Sequence, residues 1–210
     1  MQAYLRVNGY FTVAEYPVVE TTLSGGVRTT TNLDLLAFRF PHAGRLVPAR
    51  GGGATRHRME TAPDPALGVS PERSDMIVGE VKEGRAVLND AATDPATLRV
   101  ALVRFGCCSA DAAPQLVENL LRDGRALLPV GHEIRMVAFG STIGAPGRYH
   151  TVTLGHVLAF LQDYIREHWE VIGHTDHKDP AFGFLVLLEK ALRGATPAAE
   201  GIADERTRTG

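Results

Sequence analysis

Two stretches of this chain are apolar on both faces of the strand they would form, and this constrains the fold more than any other feature. In "DMIVGEV", residues 75 to 81, Met76 and Val78 share one face while Ile77, Gly79 and Val81 share the other. In "TNLDLLAFRF", Leu33, Leu35 and Ala37 alternate with Asp34, Leu36 and Phe38. A strand apolar on both sides has to be covered on both sides, so it belongs inside a sheet with helices packed on it. The expected class is therefore α/β, with a mixed central sheet flanked by helices.

The remaining segments fall into place around these two. "QAYLRVNGY" reads as a short helix stopped at Gly9, and "YFTVAEYPVVETT" has the aromatic and β-branched content of a strand. "SGG" at 24 to 26 makes a turn, so residues 10 to 40 form an antiparallel hairpin and residues 74 to 83 add the third strand of a meander. Between them lies an insertion at 42–73, with Gly51, Gly52, Gly53 and prolines at 48, 63, 65 and 71, which is expected to be irregular. "TDPATLRVALVRFG" predicts a helix capped by Thr93 or Asp94, with Leu98, Ala101, Leu102 and Phe105 on one face. "DAAPQLVENLLRDG" predicts another helix and "HEIRMVAFGST" a strand. Two C-terminal helices follow. The first, in "TLGHVLAFLQDYIREHWEVI", has a stripe of Leu154, Val157, Leu158, Leu161, Ile165 and Trp169, and the second lies in "DPAFGFLVLLEKALRG". Residues 1–194 read as a single domain, and 195–210 lack apolar periodicity and are expected to be a disordered tail.

A net charge of -2 gives the chain no global attraction to polyanions, so any nucleic-acid contact has to come from local clusters of Lys and Arg. The two cysteines, Cys107 and Cys108, are adjacent, and the chain shows no secretory leader and no bilayer-length apolar run. A reducing, cytoplasmic setting without a membrane partner is expected.

Within the apolar strands sit Asp34, Glu80 and Lys82. An ionised carboxylate beside a packed core costs several kcal/mol unless it is paired or metal-bound. If the two strands are neighbours, Asp34 and Glu80 converge on one point of the sheet, and two carboxylates suit a hard cation of the Mg²⁺ type. Lys82, one pleat beyond Glu80, stands where it can stabilise charge on a phosphate.

These residues resemble the signature of the PD-(D/E)XK nucleases: an acid in the second core strand, here Asp34 in "TNLDLLAFRFP", and Glu-x-Lys in the third, here Glu80 and Lys82 in "MIVGEVKEG". The order helix, three-strand meander, helix, strand is similar too, over residues 1 to 142. The resemblance implies a restriction-endonuclease-like fold and metal-dependent hydrolysis of phosphodiester bonds, with DNA as the favoured nucleic acid. It also implies Mg²⁺ or Mn²⁺ held by Asp34, Glu80 and the carbonyl of Val81, with Lys82 beside the attacked phosphate. Cutting both strands would require a homodimer. Many members carry a further acid in the first helix, where this chain has only Gln2, so Glu15 or Glu20 of the first strand becomes the substitute candidate.

Other clusters compete. Arg45, Arg50, Arg56 and Arg58, with His42 and His57, lie in a stretch without acids and suit phosphate contacts. His150, His156, His168, His174 and His177 raise the alternative of a histidine-based metal hydrolase. A catalytically degenerate, nucleic-acid-binding version of the nuclease fold is the other alternative. Cys107 and Cys108, at a helix end with no adjacent base, read as packing residues.

Overall fold

The computed structural model describes residues 1–21, 27–44, 62–145 and 147–194. In chain order the elements are α1 (Gln2–Val7), β1 (Tyr10–Thr21), β2 (Val27–Arg39), a 3₁₀ turn (Pro65–Leu67), β3 (Asp75–Val81), α2 (Asp90–Thr93), α3 (Pro95–Arg104), α4 (Ala113–Asp123), β4 (Arg125–Leu127), β5 (Glu133–Gly140), β6 (His150–Thr153), α5 (Leu154–Glu167), α6 (Trp169–Ile172) and α7 (Pro180–Gly194). They form two compact units, Met1–Leu161 and Gln162–Gly210, with the division inside α5.

The first unit is an α/β domain built on a mixed six-stranded sheet. Its order is β1-β2-β3-β5-β4, with β6 also paired to β5. β1, β2 and β3 form the antiparallel meander, β3 runs parallel to β5, β5 parallel to β6, and β4 antiparallel to β5. β3 lies between β2 and β5, the inner position that its two apolar faces demand.

One face of the sheet carries Leu36, Met76, Val78, Ile134 and Met136, packed in a core with Leu98, Ala101 and Leu102 of α3 and Leu116, Val117 and Leu120 of α4. Asp94 caps α3 by accepting from the Thr97 amide at 2.7 Å. Phe105 departs from its expected place on the buried face. It sits at the C-cap, where the helix has ended, and stacks edge-on against Tyr16 at 5.1 Å.

The opposite face buries Leu35, Ala37, Ile77, Val137 and Phe139 together with a polar network. Arg135 donates to both carboxylate oxygens of Asp75, at 2.6 and 2.9 Å, and to the carbonyl of Leu67 at 2.6 Å; Tyr10 Oη donates to Asp75 at 2.5 Å. Burial and then the Asp75 charge push the Tyr10 phenol far above its ordinary range, so it stays a donor. Asp64, just before the 3₁₀ turn, is likewise a buried acceptor. It accepts from Tyr4 Oη at 2.7 Å, meets His156 Nε2 at 2.6 Å and caps the 3₁₀ turn through the Ala66 amide at 2.9 Å. Burial alone would raise the Asp64 carboxyl, but these hydrogen bonds outweigh it and hold the group below its ordinary 3.8. This anchored turn is the described end of the Gly/Pro-rich insertion, whose residues 45–61 lie outside the described residues, as do 195–210.

Two short strands, β4 and β6, and the four-residue α2 were not expected from the pattern. The helix expected through residue 172 is instead broken at His168, whose Nδ1 bonds the Tyr164 carbonyl at 2.9 Å and whose backbone leaves helical geometry. In the second unit, Glu189 joins α5 to α7 by accepting from Arg166 at 3.3 Å and Arg193 at 2.9 Å, and the Arg193 guanidinium lies 4.4 Å from the centre of the Trp169 ring.

Glu15 has φ 52 in the middle of β1. A non-glycine residue held there costs about 1–3 kcal/mol, whereas glycine adopts it without steric penalty. Glu15→Gly is therefore expected to stabilise the domain by about 1 kcal/mol after the entropic cost of glycine. Urea denaturation checks this, and a lower midpoint would show that the Glu15 side chain contributes more than its backbone costs.

Candidate functional site

β2 and β3 pair with Leu36 opposite Val78 and Leu35 opposite Gly79. One further step along this antiparallel register brings Asp34 opposite Glu80, on the face that carries Leu36 and Val78. The adjacency is direct, because Asp34 Oδ2 accepts the Val81 amide at 3.1 Å. β3 then continues past its last sheet residue, with the Lys82 amide donating to the Phe139 carbonyl at 2.9 Å, which carries Lys82 to the rim of the sheet.

Glu80 is fully buried, at 0% exposure, while the Lys82 side chain beside it is 37% exposed. Glu80 Oε1 accepts from Asn89 Nδ2 at 2.7 Å and is paired with Lys82 Nζ. Among the described residues, Glu80 Oε2 is buried with no hydrogen-bond partner. Burial, with the like charge of Asp34 adding to it, raises the Glu80 carboxyl above its ordinary 4.5 against the pull of Lys82. Lys82 is raised in turn, chiefly through its bond to Glu80.

Asn89 is the residue that the pattern reading missed. Its Oδ1 caps α2 through the Ala92 amide at 2.7 Å while its amide group holds Glu80, so one side chain ties the start of α2 to the end of β3. The signal was present as Asn89 directly before Asp90, an N-cap residue followed by an acid in the first turn. Asn89→Ala is expected to cost about 1–2 kcal/mol through the lost cap and the lost bond to a buried acceptor. Thermal melting measures it, and Asn89→Asp, which keeps the cap but puts a third carboxylate beside Glu80, should not restore the parent value.

The end of β5 runs beside the end of β3, with Ala138 opposite Glu80 and Phe139 opposite Val81. A Cβ on Gly140 would lie 2.4 Å from the Ala86 amide nitrogen, so only glycine lets the segment after Lys82 lie against β5. The Ala86 amide donates to the Thr142 carbonyl at 2.8 Å across this contact.

The structure thus brings Asp34, Glu80, Val81 and Lys82 together. Arg45, Arg50, Arg56 and Arg58 lie outside the described residues, as does His57. His42 pairs with Glu72 at 3.2 Å. Of the other histidines, His150 Nε2 meets the Ala66 carbonyl at 2.6 Å, His156 Nε2 meets Asp64 at 2.6 Å, His168 Nδ1 meets the Tyr164 carbonyl at 2.9 Å and His177 Nε2 meets the Ile172 carbonyl at 2.8 Å. Among the described residues there is no group of three or more His, Cys, Asp or Glu placed to hold a metal ion, so a protein-derived ligand set at Asp34 and Glu80 consists of two carboxylates. Cys107 Sγ lies 3.0 Å from Met76 Sδ, and burial, then its neighbour Cys108, pushes its thiol up to about 11, which suits packing and not nucleophilic attack. No helix among the described residues is long and apolar enough to cross a membrane.

Comparison with models of protein families, with curated proteins and with solved structures finds no match to this chain.

Proposed function

We propose that the chain is a metal-dependent nuclease of the PD-(D/E)XK type, hydrolysing phosphodiester bonds of nucleic acid, with DNA favoured. The observation that carries this reading is the Glu80 carboxylate: fully buried, with one oxygen lacking a hydrogen-bond partner, beside Asp34 and under Lys82. Burial of an unsatisfied charged oxygen is costly; a proton shared with Asp34 relieves it at the expense of one charge, which fits the raised Glu80 carboxyl, and a cation relieves it with both carboxylates ionised.

The residues fit such an ion. Mg²⁺ is commonly bound through one or two carboxylates while keeping several waters, and Asp34 and Glu80 with the carbonyl of Val81 supply the protein side of that set. When bound there, the ion would polarise a phosphate oxygen and lower the pKa of a coordinated water. The chain's own residues do the rest. Asn89 orients Glu80 through Oε1, the Val81 amide orients Asp34, and the half-exposed Lys82 ammonium supplies positive charge where a phosphate would gain negative charge in transit.

The test is incubation of the full chain with labelled single-stranded and duplex DNA and with RNA, each with Mg²⁺, Mn²⁺ or a chelator. Cleavage with either ion and none with chelator is expected. Binding without cleavage on every substrate would replace this reading by the degenerate binding module.

A further inference from the structure

Away from the acidic site, four arginines from separate parts of the first unit line one groove of about 650 Å³: Arg73 before β3, Arg122 at the end of α4, Arg125 at the start of β4, and Arg148 before β6. The convergence is tertiary. Gly124, between α4 and β4, lies so close to the chain before β6 that a Cβ there would fall 1.8 Å from the Arg148 carbonyl oxygen. The Met136 amide donates to the Gly124 carbonyl at 2.8 Å and holds this turn on β5, while the Glu133 amide donates to the Ser74 carbonyl at 2.9 Å and brings Arg73 to the same rim.

Two acids share the groove, Asp123 and Glu133. Arg122 donates to Asp123 at 2.9 Å, and Arg122 first, with Arg125 and Arg148 adding, holds the Asp123 carboxyl below its ordinary range. Among the described residues, no carboxylate is in ion-pair contact with Arg73, Arg125 or Arg148. Asp123 and Glu133 offset part of the charge of the four arginines, and an anion with several acceptor oxygens suits the excess of guanidinium donors.

A second cavity of about 410 Å³ adjoins the first, and Arg122 and Arg148 belong to both. Its other walls are the apolar side chains of Pro95, Pro114, Val117 and Leu121 together with Arg99 and Glu118. A cationic groove beside a largely apolar slot, with Arg122 and Arg148 common to the two, suits a ligand that is anionic at one end and flat and apolar at the other. Asp123 and Glu133 would repel a bare polyanion but can accept hydrogen bonds from hydroxyl groups between the two ends. We infer that this paired cavity binds a nucleoside phosphate, with phosphate at Arg73, Arg125 and Arg148 and the base against Pro95, Pro114 and Leu121. The nucleoside phosphate is either a free nucleotide or the phosphorylated end of a nucleic-acid strand. The inference does not depend on hydrolysis at Asp34 and Glu80.

Calorimetric titration of the full chain with AMP, ribose 5-phosphate and pyrophosphate tests the chemistry, and 5′-phosphorylated and 5′-hydroxyl oligonucleotides distinguish the two sources. AMP is expected to bind more tightly than either fragment. Arg125→Gln and Arg148→Gln should each weaken it by about tenfold or more, the loss of a charge-assisted hydrogen bond. Leu121→Asn should weaken AMP and leave pyrophosphate unchanged. Arg125 and Arg148 are exposed and Leu121 packs half-buried against the core, so unchanged melting temperatures establish that the variants are folded. Preference for the 5′-phosphorylated strand assigns the site to strand ends, and equal weak binding of both strands alongside tight AMP binding assigns it to free nucleotide. Glu80→Gln and Lys82→Ala should bind as the parent does, so failure of the nuclease proposal would leave this one standing. The inference is overturned if no probe binds, if binding survives both arginine substitutions, or if pyrophosphate binds as tightly as AMP.

Discussion

Glu80→Gln is expected to abolish metal-dependent cleavage and, in chelator at neutral pH, to raise the melting temperature. The two effects share one cause. The folded Glu80 carboxyl holds its proton to a higher pH than the ordinary 4.5, because burial and the Asp34 charge disfavour its ionised form. Ionisation therefore works against the fold: the deficit sets in as pH rises past the unfolded value and is complete above the folded one. Glutamine keeps an acceptor for Asn89, carries no charge and removes the deficit, but it also removes half of the acidic pair. Melting both proteins in chelator at pH 4 and pH 8 checks the sign, since the advantage of the variant should grow with pH. A variant that melts below the parent at both values would show that the pair with Lys82 outweighs the burial. Lys82→Ala separates chemistry from binding. Loss of a preorganised charge typically lowers turnover by a factor on the order of 100 or more while weakening substrate binding far less. Parent-like single-turnover cleavage by Lys82→Ala would reduce Lys82 and Glu80 to an ion pair at a strand end.

Asp75→Ala should have the largest effect on stability. Arg135 is 7% exposed and has Asp75, itself 1% exposed, as its bidentate partner, with Tyr10 on the same carboxylate. Removing one member of a buried pair strands the other, at a cost of about 3–5 kcal/mol. Replacing both is different in kind, because no charge is left stranded. Asp75→Leu combined with Arg135→Met is expected to recover much of the loss, with the Tyr10 hydroxyl and the Leu67 carbonyl left to find other partners. Urea denaturation of Asp75→Leu, Arg135→Met and the double variant gives the coupling energy directly. A midpoint for Asp75→Ala close to that of the parent would show that water reaches this face of the sheet.

Much of this architecture was legible in the amino-acid order, because the relevant signals are local. Alternation of apolar residues placed β2, β3 and β5, and the dual apolar faces of β3 required its inner position. Asp94 and Pro95 marked the start of α3, and Asp34, Glu80 and Lys82 stood out as charges inside apolar strands, where they have a cost. The short elements escaped: β4 has three residues and β6 four, too few for a period to register. His168 broke an otherwise continuous helical stripe, because a side-chain bond to a carbonyl one turn back leaves no trace in hydrophobic spacing.

What only the tertiary structure decided is which polar groups meet. Asp75 and Arg135 are 60 positions apart, and Tyr4 and Asp64 also 60; nothing in either neighbourhood announces the partner. Asn89 reaches Glu80 because α2 starts against the end of β3, and Arg73, Arg122, Arg125 and Arg148 share a groove because a glycine lets two backbones approach. Periodicity records how each residue divides its surface between core and solvent, which is a property of a segment. Pairing between buried charges depends on where segments dock, which is a property of the whole fold.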